Sequence, residues 1–511
     1  MTGRVPVVIG GGGPVGLAAA VELGRRGVAC LVVEPRTAVS HARPRCKTIN
    51  VRSMEHLRRW GIADRLRAEA PLPVSWSQDV VFCTSLAGRE LSRFTGVLGL
   101  SPDGDRFAEL GQQAPQYVLE ELLRATVAGL PACTLATGWR VDTVEQDGAG
   151  VRVGLLDEAG GRREVDAEYL IGCDGPRSTV REQIGARYEG GQALRPNFGM
   201  VFEAPGLWEH VRHGPAVHYW IINPEAPALM GPIDRDGTWW IIALGVDRES
   251  GERETRRIID AAAGRPVEAR VLSTDPWTAR MQLADRMRVG RVFLAGDAAH
   301  LNPPFGGHGL NTGLGDAVDI GWKLAAVLGG WAGPALLDSY EAERRPIQRR
   351  VIAEATANMA VLSTELLAAN LDDADAAGEA ARAAAGDRIQ ATKHAEFHSL
   401  ELVLDAGLEG SPIVAQGAGT RLPHLWLAPG RSLYDTLGPG YTVLVLGEAD
   451  PGPLERAARD RGVPLTVLDL RGHGVRGRFA AGLVLVRPDQ HIAWQGDEAP
   501  PADVIDLVRG A

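Results

Sequence analysis

Residues 5–34 read VPVVIGGGGPVGLAAAVELGRRGVACLVVE, and this stretch decides the fold. The apolar, β-branched run from Val5 to Ile9 predicts a strand. Glycines follow it, then a helix pattern of small residues from Val15 to Leu23, and then a second apolar run that ends in Glu34. Strand, glycine turn, helix and strand together predict a βαβ unit of about thirty residues.

The glycines of the turn have the spacing GxGxxG. Gly11 permits a tight turn, Gly13 lets a pyrophosphate approach the backbone, and Gly16 lets the helix pack close to the strand. The helix start offers N–H groups and a positive dipole end to phosphates. Glu34 ends the second strand, where a carboxylate can accept hydrogen bonds from ribose hydroxyls. The pattern predicts a dinucleotide site but does not separate FAD from NAD(P), and an ordinary glycine turn is the alternative.

Two later strand-like runs also end near an aspartate and a glycine. YLIG (169–172) precedes Asp174-Gly175, a pair that taken alone is usually just a turn. RVFL (291–294) precedes Gly296-Asp297 and a loop rich in proline and glycine, and a helix pattern follows. Asp297 can accept hydrogen bonds from a polyol chain. The backbone from Gly309 to Asn311 can donate N–H groups to a planar ring, and the helix dipole would favour that ring in an anionic reduced form.

The composition excludes several classes of protein. The chain has 511 residues, or about three domains, and its net charge of -10 argues against a nucleic-acid partner. Its five cysteines form no CxxC pair and none lies beyond Cys173, which excludes a disulfide framework and favours the cytoplasm. The sequence contains no run of about 18 apolar residues, so we predict no membrane-spanning helix. His300 and His308 have no carboxylate or cysteine at ligand spacing, so we predict no metal site.

Lysine is scarce beside arginine. Of the 54 basic residues only three are lysines, leaving 51 arginines (54 − 3), and we interpret this as a coding bias without functional content. The three are Lys47, Lys323 and Lys393.

The segment from about 177 to 280 is rich in strand patterns and aromatic residues. AVHYWII (216–222) and TWWIIALGV (238–246) predict two strands separated by turns. This density suits a large, flat, apolar substrate, although aromatics in such strands can simply pack the core. Alternation puts His218 and Trp220 on one face, and His218 is a candidate to deprotonate or orient a phenol. The residues predicted to line a substrate pocket are Trp220, Met230 and Trp239.

The three motifs, in this order, resemble the single-component FAD-dependent aromatic hydroxylases of the para-hydroxybenzoate hydroxylase type, the group A flavoprotein monooxygenases. Pro44-Arg45 and Pro115-Gln116, the latter followed by LEELL (119–123), are similar to further family segments. LVRPDQHIAWQG (485–496) resembles the C-terminal thioredoxin-like appendage of the larger members, which tailor aromatic polyketides and bis-indoles. Because this appendage has no cysteine, we expect it to be structural or oligomeric rather than a thiol enzyme.

The resemblance implies an α/β (α+β) fold with a Rossmann-like FAD-binding domain, a β-sheet substrate domain and a thioredoxin-like C-terminal domain. The expected boundaries are 1–176 with 280–355 for the FAD domain, 177–279 for the substrate domain, 356–400 for a helical linker and 401–511 for the C-terminal domain. Residues 75–100 are expected to contribute to the substrate domain.

The resemblance also implies an activity. NAD(P)H would reduce FAD, O2 would form a C4a-hydroperoxide, and a large aromatic, phenolic or polycyclic natural product would be hydroxylated, as in antibiotic biosynthesis. Baeyer–Villiger insertion, epoxidation and decarboxylative oxidation stay open, as does an FAD-bearing protein that sequesters a reactive intermediate. We expect a monomer or homodimer in the cytoplasm, with no membrane partner.

Residue roles follow from the resemblance. Gly11, Gly13 and Gly16 would hold the pyrophosphate, and Glu34 the adenosine ribose. Arg45 and Gln116 would contact the flavin side, Asp174 would lie at the junction with the nicotinamide donor, and Asp297 would bind the ribityl-pyrophosphate region. Gly309, Leu310 and Asn311 would face the pyrimidine edge of the flavin. The remaining residues predicted to contact the cofactor are Pro14, Val15, Arg36, Val141, Gly296, Pro303 and Gly306.

Overall fold

The computed structural model describes residues 4–43, 47–191, 195–360, 370–408, 410–498, 500–501 and 503–511. Its largest sheet is built around the βαβ unit, because Val7, Val8 and Ile9 are fully buried between helices. The sheet order, from one edge, is Arg288–Val289, Val292–Leu294, Arg162–Gly172, Val5–Gly10, Cys30–Glu34 and Cys133–Thr137. Val151–Asp157 pairs antiparallel with the long strand Arg162–Gly172, and Trp139–Gln146 pairs antiparallel with Val151–Asp157.

Helices cover this sheet, and small residues let two of them approach closely. A Cβ on Gly321 would lie 2.5 Å from the Cβ of Glu22, so the helix His308–Leu328 packs directly against Pro14–Gly24. The single helix that the pattern over 51–70 indicates is instead two, because Gly61 (φ +75°) turns the chain between them. The helices of this region are Pro14–Gly24, Val51–Arg59, Ala63–Glu69, Gln116–Ala128, Thr179–Gln183, His308–Leu328 and Ala335–Ala360.

A second sheet of seven strands contains the aromatic segment. Its order is Arg270–Thr278, Pro196–Glu203, Thr238–Leu244, Ala228–Pro232, His218–Ile221, Val80–Cys83 and Glu90–Phe94. The helix Arg248–Ala263 packs on its outer face, while its inner face meets the loop at Phe305 and the helix Ala376–Phe397. A three-stranded sheet, Tyr188–Gly191, Met281–Ala284 and His300–Leu301, lies where the chain passes between the two larger sheets.

The C-terminal part forms a separate small sheet. Its order is Leu465–Asp469, Tyr441–Val445, Leu483–Val486 and Ile492–Gly496, flanked by the helices Gly452–Asp460 and Val504–Arg509. The shorter elements are the helix Leu400–Leu404 and the two-stranded ladders Trp426–Ala428 with Arg431–Ser432 and Thr48–Ile49 with Gln112–Gln113. Within the described part of the chain, no helix has the length and apolar character needed to cross a bilayer.

Candidate functional site

Three parallel strands end together at one edge of the largest sheet. Gly10 pairs with Gly172, and Gly172 pairs with Leu294. The backbone N–H of Cys173 donates to the carbonyl of Gly10 at 2.7 Å, and Ala295 N–H donates to the carbonyl of Gly172 at 3.0 Å. The carboxyl ends of parallel strands are where α/β sheets bind their ligands. The glycine turn, the Asp174 motif and the Asp297 motif therefore meet at one place.

The glycine turn has the shape of a nucleotide cradle. Gly11 has φ +107°, and a Cβ there would lie 2.3 Å from the carbonyl oxygen of Cys173. A Cβ on Gly16 would lie 1.9 Å from the carbonyl oxygen of Gly11. By contrast, no described atom lies within 4 Å of a Cβ built on Gly13, which therefore faces open space. Pro14 begins the helix, whose first turn has no acidic side chain and no side-chain cap, so its N–H groups suit a pyrophosphate.

Glu34 lies directly beside this turn. Its buried carboxylate accepts hydrogen bonds from the backbone N–H of Gly12 at 2.8 Å and from the backbone N–H and Nε of Arg36 at 3.0 and 2.7 Å. Arg36 is half-exposed and also bonds Glu120 at 2.9 Å. A carboxylate has about four acceptor positions, so these three bonds leave capacity for a ribose hydroxyl. Val141 packs against Gly10, on which a Cβ would lie 2.9 Å from its Cγ2 atom.

The Asp174 carboxylate has hydrogen-bond partners within the protein. It accepts hydrogen bonds from the Ser178 hydroxyl and, at 3.0 Å, from the backbone N–H of Val180. It thereby satisfies one N–H group in the first turn of the helix Thr179–Gln183, whose N-cap is Ser178, and burial raises the pKa of Asp174. Its Cα lies 2.9 Å from the position that a Cβ on Gly11 would take, so the motif borders the turn.

The Gly296–Asp297 motif touches the first motif directly. A Cβ on Gly296 would lie 2.9 Å from the Cγ2 atom of Val15. Asp297 itself is exposed at this edge, and its carbonyl accepts a hydrogen bond from Tyr188. The backbone N–H of Gly296 donates to Asp316 at 3.1 Å.

Asp316 is a buried residue that bonds several other residues of the site, and no sequence pattern indicates this role. Besides Gly296, it accepts hydrogen bonds from His300 Nε2 at 2.9 Å and from Arg344 Nε at 2.8 Å. Burial by itself would raise the pKa of Asp316, but Arg344 and His300 lower it to about 2. The Nε2 atom of His300 is therefore occupied by its hydrogen bond with Asp316. Among the described residues, no group of three or more His, Cys, Asp and Glu side chains could hold a metal ion.

The loop before the helix His308–Leu328 is fixed by Asn311. The Asn311 Oδ1 atom accepts from Asn50 N–H at 3.0 Å and from Ser53 Oγ at 2.7 Å. Its Nδ2 atom donates to the carbonyls of Thr48 at 2.9 Å and Gly307 at 2.7 Å. All four hydrogen bonds of this amide are made within the protein, so a contact of Asn311 with a flavin would use its backbone.

The other predicted contacts surround this loop. Gly306, Gly309 and Leu310 are half-buried at the helix start, and Pro303 is buried before it. Gln116 begins its helix three residues after Gln113, which pairs with Thr48, the residue whose carbonyl accepts a hydrogen bond from Asn311. Arg45 lies outside the described residues. The individual cofactor contacts stay predictions.

The inner face of the seven-stranded sheet meets the same loop. Trp220 stacks on Phe82 with ring centroids 5.4 Å apart and on Phe305 of the loop at 6.1 Å. Cross-strand partners point to the same face of a sheet. Trp220 pairs with Leu229 and Trp240 pairs with Gly231, so both indoles belong to this inner face.

Met230 and Trp239 lie on the opposite face. Met230 pairs with Tyr219, and both residues pack with Trp239 against the helix Arg248–Ala263. This placement corrects the expectation that Met230 and Trp239 line a pocket, because strand alternation turns them into the core between sheet and helix. Only Trp220 of the three predicted pocket residues faces the loop.

His218 is half-buried on the inner face and is neutral. Burial, and next the charge of Lys47, lower its pKa to about 3. Its Nε2 atom is buried and has no hydrogen-bond partner among the described residues. So weak a base is suited to accept or donate a hydrogen bond, and poorly suited to remove a proton from a phenol.

Comparisons with known proteins agree with this arrangement. A family model described as an FAD binding domain matches residues 4–355, and one described as the C-terminal region of aromatic-ring hydroxylases matches residues 415–509. A putative polyketide hydroxylase of Streptomyces halstedii is 32% identical over 540 residues, covering 98% of this chain and 95% of that protein.

Two solved structures superpose over almost the whole chain. The rebeccamycin biosynthetic enzyme RebC with reduced flavin has a TM-score of 0.90, 34% identity and 99% coverage of both chains. The flavin-dependent monooxygenase PieE in complex with FAD and substrate has a TM-score of 0.89 and 30% identity, covering 99% of this chain and 98% of that one. The fold class, the enzyme class and the cofactors predicted from the sequence are confirmed. This chain belongs to the FAD-dependent aromatic-ring hydroxylases, and it is a monooxygenase that works with FAD, NAD(P)H and O2.

Proposed function

We propose that this enzyme hydroxylates a large, flat aromatic substrate held between the loop at residues 303–311 and the inner face of the seven-stranded sheet. The observation that carries the proposal is the stack of Trp220 on Phe305, which joins the sheet to the loop beside the predicted flavin site. A cavity on this face is lined by Val201, Trp240, Ile242 and Trp277 together with the charged side chains of Arg43, Lys47 and Asp275. Aromatic and apolar walls with a small number of charged groups suit an aromatic substrate that carries polar substituents.

Bound FAD would supply the redox chemistry, taking hydride from NAD(P)H and activating O2. The protein's own residues have other tasks. The rings of Phe82, Trp220 and Phe305 exclude water from the reacting face, which protects a reactive oxygen species from wasteful decay. The unpartnered Nε2 of His218 offers a hydrogen bond that orients a polar substituent of the substrate. Asn311 holds the loop at a fixed distance from Thr48 and Asn50.

Substrate-stimulated NAD(P)H oxidation tests the proposal. The FAD-loaded protein is incubated with polycyclic phenols and quinones under ¹⁸O2, and products are identified by mass. We expect NAD(P)H consumption to rise with an aromatic ligand and one ¹⁸O atom to enter the product ring. Turnover of aliphatic compounds alone would refute the aromatic assignment. Stimulation by no ligand, despite bound FAD, would favour a binding protein.

We further propose that the enzyme acts in the cytoplasm as a monomer or homodimer, with domains divided as the sequence predicts. The free thiols of Cys30, Cys83, Cys133 and Cys173 are compatible with a reducing compartment. Light scattering after size exclusion measures the mass of the assembly. Limited proteolysis tests the boundary near residue 400, where we expect cleavage to separate the C-terminal domain.

A further inference from the structure

Two of the free thiols lie side by side in the largest sheet. Cys30 begins the strand Cys30–Glu34 and pairs in register with Cys133, the first residue of the edge strand Cys133–Thr137. Register partners on neighbouring strands point to the same face of a sheet. The two Sγ atoms are accordingly 3.5 Å apart. The proposed function uses neither thiol.

The backbone at this pair suits a disulfide. Neighbouring strands lie about 4.8 Å apart, which is within the range of Cα separations that disulfides span. The Cys30 N–H donates to the carbonyl of Ala132 at 2.9 Å, and the ladder continues where Leu31 pairs with Thr134. A bond of about 2 Å between the sulfurs therefore requires the side chains to rotate, while the strands keep their register.

The two thiols have different surroundings. Cys30 has an exposed fraction of 3%, whereas Cys133 is half-buried on an edge strand that solvent reaches along its length. The hydrogen bond that the Cys30 thiol donates lowers the pKa of Cys133, although burial opposes this effect. The same bond and burial raise the pKa of Cys30. Because the thiolate is the reactive form, Cys133 is the thiol that reacts first with a small oxidant.

The activity of the enzyme supplies such an oxidant. When NAD(P)H and O2 are consumed without transfer of oxygen to a substrate, the two electrons of NAD(P)H leave as H2O2. We propose that Cys133 and Cys30 form a modification site at which H2O2 converts the two thiols into a reversible disulfide. The site lies at the start of the strand that ends in Glu34, away from the carboxyl end of the sheet where the flavin site is predicted.

The reaction takes place in two steps. The Cys133 thiolate attacks one oxygen of H2O2, the O–O bond breaks, and the departing hydroxide takes up the thiol's proton to form water. The sulfur of Cys30 then attacks the resulting sulfenic acid, the S–O bond breaks, and hydroxide leaves with the Cys30 proton as a second water. Two thiols lose two electrons in total, and one H2O2 is reduced to two waters. The nearness of Cys30 favours this second step over further oxidation of Cys133 to an irreversible sulfinic acid.

Peptide mapping of the FAD-loaded protein tests the proposal. The reduced protein is treated either with H2O2 or with NAD(P)H in air, without an aromatic substrate, until several equivalents have been consumed. The second treatment is repeated with catalase. Each sample is alkylated under denaturing conditions, digested and analysed by mass. The variants are Cys30→Ala and Cys133→Ala, and the matched control is Cys83→Ala, which removes a fully buried thiol from the seven-stranded sheet.

We expect both treatments to link Cys30 to Cys133 in the wild type and in Cys83→Ala, and dithiothreitol to restore both thiols. Catalase should prevent the link in the second treatment. Cys30→Ala should instead leave a sulfenic acid at Cys133, which dimedone traps and which excess H2O2 converts to sulfinic acid. Cys133→Ala should slow the loss of the Cys30 thiol at least about tenfold.

Failure of H2O2 to link the two residues in the wild type would overturn the site, and this measurement requires no variant to fold. Sulfinic acid that forms at Cys133 as fast in the wild type as in Cys30→Ala would show that Cys30 does not trap the sulfenic acid, and it would overturn the second step. A link that forms with added H2O2 but not during consumption of NAD(P)H would overturn the enzyme as the source of the oxidant.

Discussion

Replacing Arg487 by methionine should uncouple the C-terminal domain from the two long helices of the FAD domain. The Arg487 guanidinium is fully buried and donates to Glu343 at 2.7 and 2.9 Å, to Asp319 at 3.2 Å and to Asp489 at 2.6 and 3.1 Å. Lys323 bonds Asp319 at 2.8 Å and Glu343 at 2.6 Å. With every group ionised, the five side chains carry a charge of −1 (+2 − 3), and the substitution makes it −2 (+1 − 3).

The magnitude follows from the burial of these groups. Removing one partner of a buried ion pair destabilises a protein by about 3–5 kcal/mol, because the remaining charges stay buried without compensation. For a chain of this size, about 1 °C of Tm per kcal/mol gives a fall of about 3–5 °C. The charges also predict the pH dependence. Burial, opposed by Lys323, raises the pKa of Asp319 to about 7. A carboxyl group with a raised folded pKa stabilises the fold at low pH and loses that contribution as pH rises through 7. Without Arg487 this pKa rises further, so the deficit of the variant should grow from pH 6 to pH 8.

Differential scanning fluorimetry of the FAD-loaded protein at pH 6, 7 and 8 measures both effects. The control is Arg471→Met, which removes an exposed guanidinium paired with Asp469 at 2.6 Å in the same domain, and we expect no measurable change in its Tm. If Arg487→Met melts within 2 °C of the wild type at pH 8, the buried cluster does not dock the domain and the reasoning is wrong.

Three further predictions concern the cofactor and the chamber. Gly13→Val should lower FAD affinity at least about tenfold without changing the Tm of the apoprotein, because the added Cβ enters open space. Flavin fluorescence measures the affinity for FAD. The control Gly148→Val, whose Cβ also enters open space, should bind FAD normally. His218→Phe should weaken substrate binding by about tenfold or less yet leave the pH profile of kcat/KM between pH 6 and 9 unchanged, because a group with a pKa of about 3 does not titrate there. Loss of an acidic limb, the fall in kcat/KM at low pH, would show that His218 is the base. Trp239→Ala should lower the free energy of unfolding by about 3–5 kcal/mol and leave ligand binding by the folded fraction unchanged, whereas Trp220→Ala should weaken ligand binding most. Calorimetry measures the loss of stability and ligand titration measures the loss of affinity. The reverse pattern would contradict the assignment of Trp239 to the outer face of the sheet and of Trp220 to the inner face.

Local sequence predicted the features that depend on local geometry. The glycine spacing at 11–16 and the strand ends before Asp174 and Asp297 needed only short-range patterns, and the structure brings the three segments together. The turn residues Arg487-Pro488-Asp489-Gln490 between two apolar runs also predict a hairpin, and its strands are Leu483–Val486 and Ile492–Gly496.

Long-range partners were not predictable in this way. Asp316 collects bonds from Gly296, His300 and Arg344, which no spacing rule connects. Alternation alone could not show which face of the aromatic strands meets the loop, since that depends on where the helix Arg248–Ala263 packs. The full burial of Lys323 and Lys393 likewise becomes visible only in three dimensions.

The position of the Arg487 cluster constrains how relatives of this enzyme can be recombined. Asp319 and Lys323 lie on the helix His308–Leu328, and Glu343 lies on the next helix, whereas Arg487 and Asp489 come from the C-terminal hairpin. A chimera joined anywhere between residues 370 and 408 would take its two halves of this network from different parents. Such a hybrid enzyme should fold well only when both parents carry compatible charges at these five positions. The transplanted C-terminal part must therefore be combined with a parent whose helices carry the opposite charges at the matching positions.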